Sequence, residues 1–274
     1  MKKILFFCVM ALLLTGCEQN EPSNGKDPSS NTIGIGHFTV SESKQVIFSP
    51  GNLQYHPANN KWRFAPSQLD YVGKANENIS STYNGWLDLF EWSTSSTQFG
   101  VTTSVDHDEH DGYLINLDRN STVDNLSNTW RTLTYNEWKY LIFNRSNASS
   151  LRGVAQVNGV NGLILLPDNW KCPSDITFKS GTHNRYGATF YAVYQTFTAD
   201  QWSKLEKSGA VFLPAAGIRE GSSVDYVQNV GHYWSATDYE NNNAYCLDFF
   251  SDGVENGYNN RDICGSIRLI RDLE

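Results

Sequence analysis

The 274-residue chain has no basic cluster anywhere along its length. Lys and Arg number 21 against 29 Asp and Glu, a formal net charge of −8, which argues against nucleic acid and anionic membrane surfaces as partners. Cysteine is equally sparse. Beyond residue 17 only Cys172, Cys246 and Cys264 occur. Three thiols cannot all pair, and their spacing fits no metal framework, so a disulfide scaffold is excluded. Cys246 and Cys264 are left as either a bridge between neighbouring strands or two free thiols. No cofactor is expected. After residue 33 no Pro/Gly/Ser-rich linker interrupts the chain, which favours one domain over 34–274. Trp residues spaced from Trp62 to Trp234 imply one continuous, well-filled core.

What is present first is a leader. Lys2 and Lys3 precede the apolar stretch Ile4 to Leu14, which is too short to span a bilayer as a stable helix. Leu14-Thr15-Gly16-Cys17 resembles a bacterial lipobox. That resemblance implies a signal peptide over 1–16 and a lipidated, palmitate-bearing Cys17. The protein would then be anchored to the outer membrane, at the cell surface, without crossing it. A cleaved signal with an incidental Cys is the alternative. Residues 17–33 are polar and read as a flexible tether. Glu18 and Glu21 are similar to the acidic export tag of surface lipoproteins.

Along the ordered part, His37 to Phe48 reads as a hairpin turning at Ser41 to Lys44. Leu53 to Tyr55 and Trp62 to Phe64 read as a second strand pair. Leu69 to Trp92 is aromatic and irregular. Thr134-Tyr135-Asn136-Glu137 is a capping box, and Trp138, Leu141 and Ile142 follow on one stripe, predicting a helix to about Arg145. Thr198-Ala199-Asp200-Gln201 repeats this signal, with Trp202 and Leu205 facing the core and Gly209 as the stop. Leu163 to Pro167 and Val211 to Pro214 read as the strands that follow the two helices. Strands outnumber helices, so the class is α+β.

Val105-Asp106-His107-Asp108-Glu109-His110-Asp111 is the one cluster with metal-ligand chemistry. It matches neither a calcium hand nor a zinc helix, and a solvated polar loop explains it as well. Isolated histidines such as His183 and His232 read as loop or core fillers.

The last forty residues organise the rest. Short apolar segments, Tyr233-Trp234, Ala244 to Phe250 and Ile267 to Ile270, read as buried strands. Between them lies a run rich in Asn, Tyr, Asp and Ser. Tyr offers contact area at low entropy cost and Asn adaptable hydrogen bonds, which suits recognition, although the same residues also build ordinary turns. The expected contact residues are Tyr239, Asn241, Asn243, Tyr245, Asp248, Phe250, Asp252, Asn256, Tyr258, Asn260 and Asp262. Strand alternation buries the parity of Leu247 and Phe249 and turns Asp248 and Phe250 outward.

Five segments together resemble the Fibrobacter succinogenes major paralogous domain family of bacterial surface proteins. They are Trp130 to Thr134 with Glu137-Trp138, Gly162 to Pro167, Phe212 to Gly217, Tyr233 to Thr237, and Gly265 to Leu269. The resemblance implies a C-type lectin-like fold of the formylglycine-generating-enzyme type, with twisted antiparallel sheets, two main helices and long loops. The oxidase branch of that fold works through paired cysteines close in sequence. Cys246 and Cys264 are eighteen positions apart, with Asp248 and Asp262 beside them, so no enzyme is expected. Trp234 to Arg268 is also similar to the variable region of proteins diversified by retroelements. Asn, Tyr, Asp, Ser and Cys fill 16 of the 28 positions from Tyr239 to Ser266, as adenine-directed mutagenesis would leave them. In that likeness Trp234, Leu247, Phe249, Gly253, Arg261, Gly265 and Arg268 form the constant frame. The function implied is capture of a macromolecular ligand, protein or glycan. A structural, fimbria-associated subunit and a metal-assisted envelope hydrolase using His107, Asp108 and His110 are the other readings.

Overall fold

The computed structural model describes residues 35–92, 130–182, 191–240 and 242–273. The leader with Cys17, the tether, the cluster holding His107, Asp108 and His110, and also His183 and Asn241, lie outside the described residues. Among the described residues no helix is long and apolar enough to cross a membrane.

β1 (Phe38–Ser41) and β2 (Lys44–Phe48) form the expected hairpin, and β3 (Leu53–His56) pairs with β4 (Lys61–Phe64). β5 (Trp130–Thr132) leads into α1 (Tyr135–Lys139). There the Glu137 amide donates to Thr134 Oγ1 at 3.3 Å and the Thr134 amide donates to Glu137 Oε2 at 2.9 Å, completing the capping box. The helix runs on as a π turn over Tyr140–Asn144, so the helical run does reach Arg145, though its last turn is wider than expected. β6 (Arg152–Val157) and β7 (Val160–Leu165) meet at Asn158-Gly159. Both turn residues have positive φ, 48° and 83°, as the tight hairpin turn requires.

α2 (Tyr191–Tyr194) is a single turn, and β8 (Thr196–Phe197) runs parallel to β6. α3 (Ala199–Lys207) carries the second capping box, from Thr198 and Gln201. β9 (Val211–Pro214), β10 (Ile218–Glu220), β11 (Ser223–Asp225), β12 (Gly231–Tyr239), β13 (Asn243–Phe249), β14 (Val254–Asn260) and β15 (Leu269–Asp272) follow. Mixed sheets with short helices make the chain α+β and mostly β. The polar run expected as a connection is partly a strand, β14, and the closing strand begins two residues later than the pattern places it.

The sheets order as β1-β2-β15-β5, β8-β6-β7-β9 and β12-β13-β14, with two strand pairs besides. β13 is buried on both faces along most of its length. Leu247 and Phe249 join Trp138, Leu213 and Tyr233 in one core cluster. Ala244 and Cys246 join Trp92, Trp234 and Ile267 in another. Beneath them Arg268 is fully buried, donating from Nη1 to Asn52 Oδ1 at 3.2 Å and from Nη2 to Gln68 Oε1 at 2.6 Å. Burial pulls its guanidinium down to about 10.

Asp88 is also fully buried. Its carboxylate accepts from the Val72 amide and from Asn76 Nδ2, each at 2.8 Å, yet burial outweighs those bonds and pushes its pKa up to about 6. In the unfolded chain an Asp titrates near 4. The folded state therefore holds the proton more tightly. The stability this group contributes is whole below pH ~4 and is lost as pH rises through about 6, at most about 3 kcal/mol. Urea unfolding at a series of pH values should show that downward slope in the native protein and lose it in Asp88→Asn. Parallel curves would reject the assignment.

Candidate functional site

The site is assembled by an irregularity in β12. From Trp234 to Asp238 this strand advances four positions while β13 advances two, from Cys246 to Ala244. The extra residues dock α1. The Tyr135 amide donates to Thr237 Oγ1 at 3.0 Å, and the Ala236 amide donates to the Leu133 carbonyl at 2.8 Å. Ser235 O accepts from Trp92 Nε1 at 2.8 Å. The first residue of α1 is thereby set against the far end of the β12–β13–β14 sheet.

Four tyrosines meet there. Tyr135 stacks on Tyr245 at 4.0 Å between ring centroids, Tyr245 lies 4.8 Å from Tyr239, and Tyr239 stacks on Tyr258 at 4.4 Å. The last ring is 56% exposed, so the row begins against α1 and ends in solvent. The phenol of Tyr245 is raised, by desolvation first and then by the neighbouring tyrosines and Glu240. Asn243, Asn256 and Asn260 share this face, because Tyr245 pairs with Tyr258, Asn243 with Asn260, and Leu247 with Asn256. Asn256 Nδ2 reaches the Tyr135 carbonyl at 3.5 Å, while its Oδ1 is buried with no hydrogen-bond partner. Arg261 fastens the end of the sheet: its amide donates to Asn242 O at 3.0 Å, its Nε to Asn243 O at 3.2 Å, and its guanidinium lies 4.7 Å over Trp92. Aromatic faces ringed by amides can take a sugar face or a peptide edge by stacking and hydrogen bonding.

Of the contact residues expected from sequence, the structure brings together Tyr239, Asn243, Tyr245, Asn256, Tyr258 and Asn260. The others part company. Phe250 and Asp252 sit at the opposite turn of the hairpin, on the order of 20 Å along the strand from Tyr245. Phe250 is half-buried, its amide donating to Gly253 O at 2.8 Å, so it is not the exposed marker anticipated. Asp262 is buried at 3% exposure. Asp248 does have the parity opposite to Leu247, but that face is not open: its Oδ1 lies 2.6 Å from His232 Nδ1. Conversely Tyr245 shares the parity of Leu247 and Phe249 and still reaches the ridge, because the core beneath that face ends before it. Tyr135 was not among the expected residues. Its position three residues before Trp138 and seven before Ile142, in line with the apolar stripe, is the one trace of it in the sequence.

Cys246 and Cys264 are free and buried, so the bridge does not form. Burial first, and then nearby carboxylates, raise both thiols far above the ordinary value. Neither is poised as a nucleophile. Exposed Cys172 donates to Ile176 O at 3.1 Å.

The fold and this ridge define an α+β protein of mostly antiparallel strands with an aromatic, amide-rich surface at one sheet end. Compared with protein-family models, curated proteins and solved structures, the chain matches none.

Proposed function

We propose that the chain is a ligand-capturing envelope protein, held at the outer membrane surface through a lipidated Cys17 and performing no chemistry. The ridge of Tyr135, Tyr245, Tyr239 and Tyr258, flanked by Asn243, Asn256 and Asn260, is the capture surface for a macromolecular ligand, protein or glycan. The observation that carries this reading is the ring row running from α1 out to the exposed Tyr258. Aromatic contact surface surrounded by adaptable amides is the composition of paratopes. A C-type lectin-like fold of the formylglycine-generating-enzyme type accords with the short helices, the antiparallel sheets and the last strand closing between β2 and β5.

The test is binding of the full chain to an array of glycans and purified surface proteins. Tyr258→Ala should change stability by no more than about 0.5 kcal/mol, since the ring is exposed. Capture should fall by about 2 kcal/mol or more, roughly thirtyfold in Kd. Undiminished binding by Tyr258→Ala and Tyr245→Ala would sink the proposal.

A further inference from the structure

The opposite face of the same sheet carries a second constellation that does not depend on the tyrosine ridge. His232 and Asp248 are direct cross-strand partners on β12 and β13, and Cys246 lies two residues before Asp248, hence on the same face. His232 Nδ1 is 2.6 Å from Asp248 Oδ1, and Cys246 Sγ donates to Asp248 Oδ2 at 3.2 Å. One ligand atom from each of the three lies within 4.8 Å of the others. We propose that His232, Cys246 and Asp248 bind one divalent cation of the zinc type through imidazole nitrogen, thiolate sulfur and carboxylate oxygen, with a fourth position left to water.

Three observations favour a cation over a plain hydrogen-bonded triad. First, the imidazole is held in place. It stands edge-on to Trp234 at 4.6 Å and fits against Gly265, where an added Cβ would come within 2.3 Å of the ring. Its Nε2 is buried without a hydrogen-bond partner. A cation would replace the Nδ1–Asp248 hydrogen bond with a bond to the Nδ1 lone pair, the ring proton moving to Nε2, which makes no hydrogen bond in its place.

Second, the neighbouring strand sends no side chain over the Cys246 thiol. Gly257 is the Cα partner of Cys246, and a Cβ on it would stand 3.4 Å from Asp248 Oδ2. Third, the charge is of the right sign. Glu255, the Cα partner of Asp248, lies on the same face, and the charges acting on the Cys246 sulfur are those of Asp248 and Glu255, both negative. Thiolate, imidazole and carboxylate together suit zinc, three protein ligands being the pattern of a site with an open position. On binding, the Cys246 S–H proton passes to solvent and the ring proton resides on Nε2, so the site takes up the cation with loss of the thiol proton.

The full chain, without a polyhistidine tag and stripped with a chelator, is titrated with Co2+ and then Zn2+. One equivalent of Co2+ should give thiolate-to-cobalt charge-transfer absorption, abolished when Zn2+ displaces it. Zn2+ should also raise Tm of the native chain. Cys246→Ser should remove the charge-transfer band, Asp248→Asn should weaken affinity about tenfold or more, and Cys172→Ser should change neither. The cobalt titration and the Tm shift use the native chain, so they stand even where a variant fails to fold. No stoichiometric binding, a cobalt spectrum without the thiolate band, or full retention in Cys246→Ser would overturn the proposal.

Discussion

Trp234→Ala is expected to lower the unfolding free energy by about 4 kcal/mol, as large-to-small changes at fully buried aromatics do. The indole is 0% exposed and packs with Trp62, Phe90, Trp92 and Ile267 in one cluster. Its Nε1 donates to the Phe90 carbonyl at 2.8 Å, and its own carbonyl accepts from Trp138 Nε1 at 3.4 Å. Removing the side chain leaves a cavity and one fewer hydrogen bond at the Phe90 carbonyl, which keeps the Gly265 amide as a donor at 2.9 Å. Trp234→Phe keeps most of the volume and loses only the indole hydrogen bond, so it should cost less, about 1 kcal/mol. Urea unfolding of both variants measures the difference. A Trp234→Ala protein within about 1 kcal/mol of the native one would mean that this core collapses around the gap.

The second large effect belongs to Glu137→Ala, also about 4 kcal/mol, because it breaks a buried ion pair and a helix cap together. Glu137 is 8% exposed and accepts from Arg131 Nη1 at 2.7 Å, Arg131 Nη2 at 2.8 Å and the Thr134 amide at 2.9 Å. Arg131 also holds Asp272 of β15, at 2.5 Å. Burial raises the Glu137 pKa, but the Arg131 bonds and the Thr134 amide outweigh it and bring the group below the ordinary Glu value. Its contribution is thus present above the unfolded pKa, near 4.3, and is lost as pH falls through the lower folded value. Glu137→Gln should keep a cap acceptor, flatten the acid limb of the stability curve and cost less than Glu137→Ala. An unchanged acid limb would show that the pairing contributes nothing to folding.

Most of the backbone plan was legible where local chemistry decides it. Both capping boxes form as written, and the first two strand pairs stand where alternation puts them. The β6–β7 hairpin follows from Asn158-Gly159, a pair that readily takes the positive φ of a tight hairpin turn. β14 was not readable, because Asn and Gly are poor strand formers and only pairing with β13 makes Val254–Asn260 extended. Parity alone misled for Asp248. Alternation tells which residues share a face, but both faces of β13 meet core, so it could not say which face ends in solvent. The contribution of Tyr135 depends on the widened stretch of β12 and the Thr237 hydroxyl, a contact across 102 residues that no local pattern announces.

β14, finally, has a mechanical consequence. Among the described residues it pairs only with β13, and apart from Val254, which packs against the main core cluster, its side chains are half-buried or exposed. Substitutions at the exposed Tyr258 or Asn260 therefore transmit little strain inward, while Tyr135, from a distant part of the chain, stays put as a constant backstop. A border strand of this kind can exchange its outward side chains without renegotiating how the protein folds.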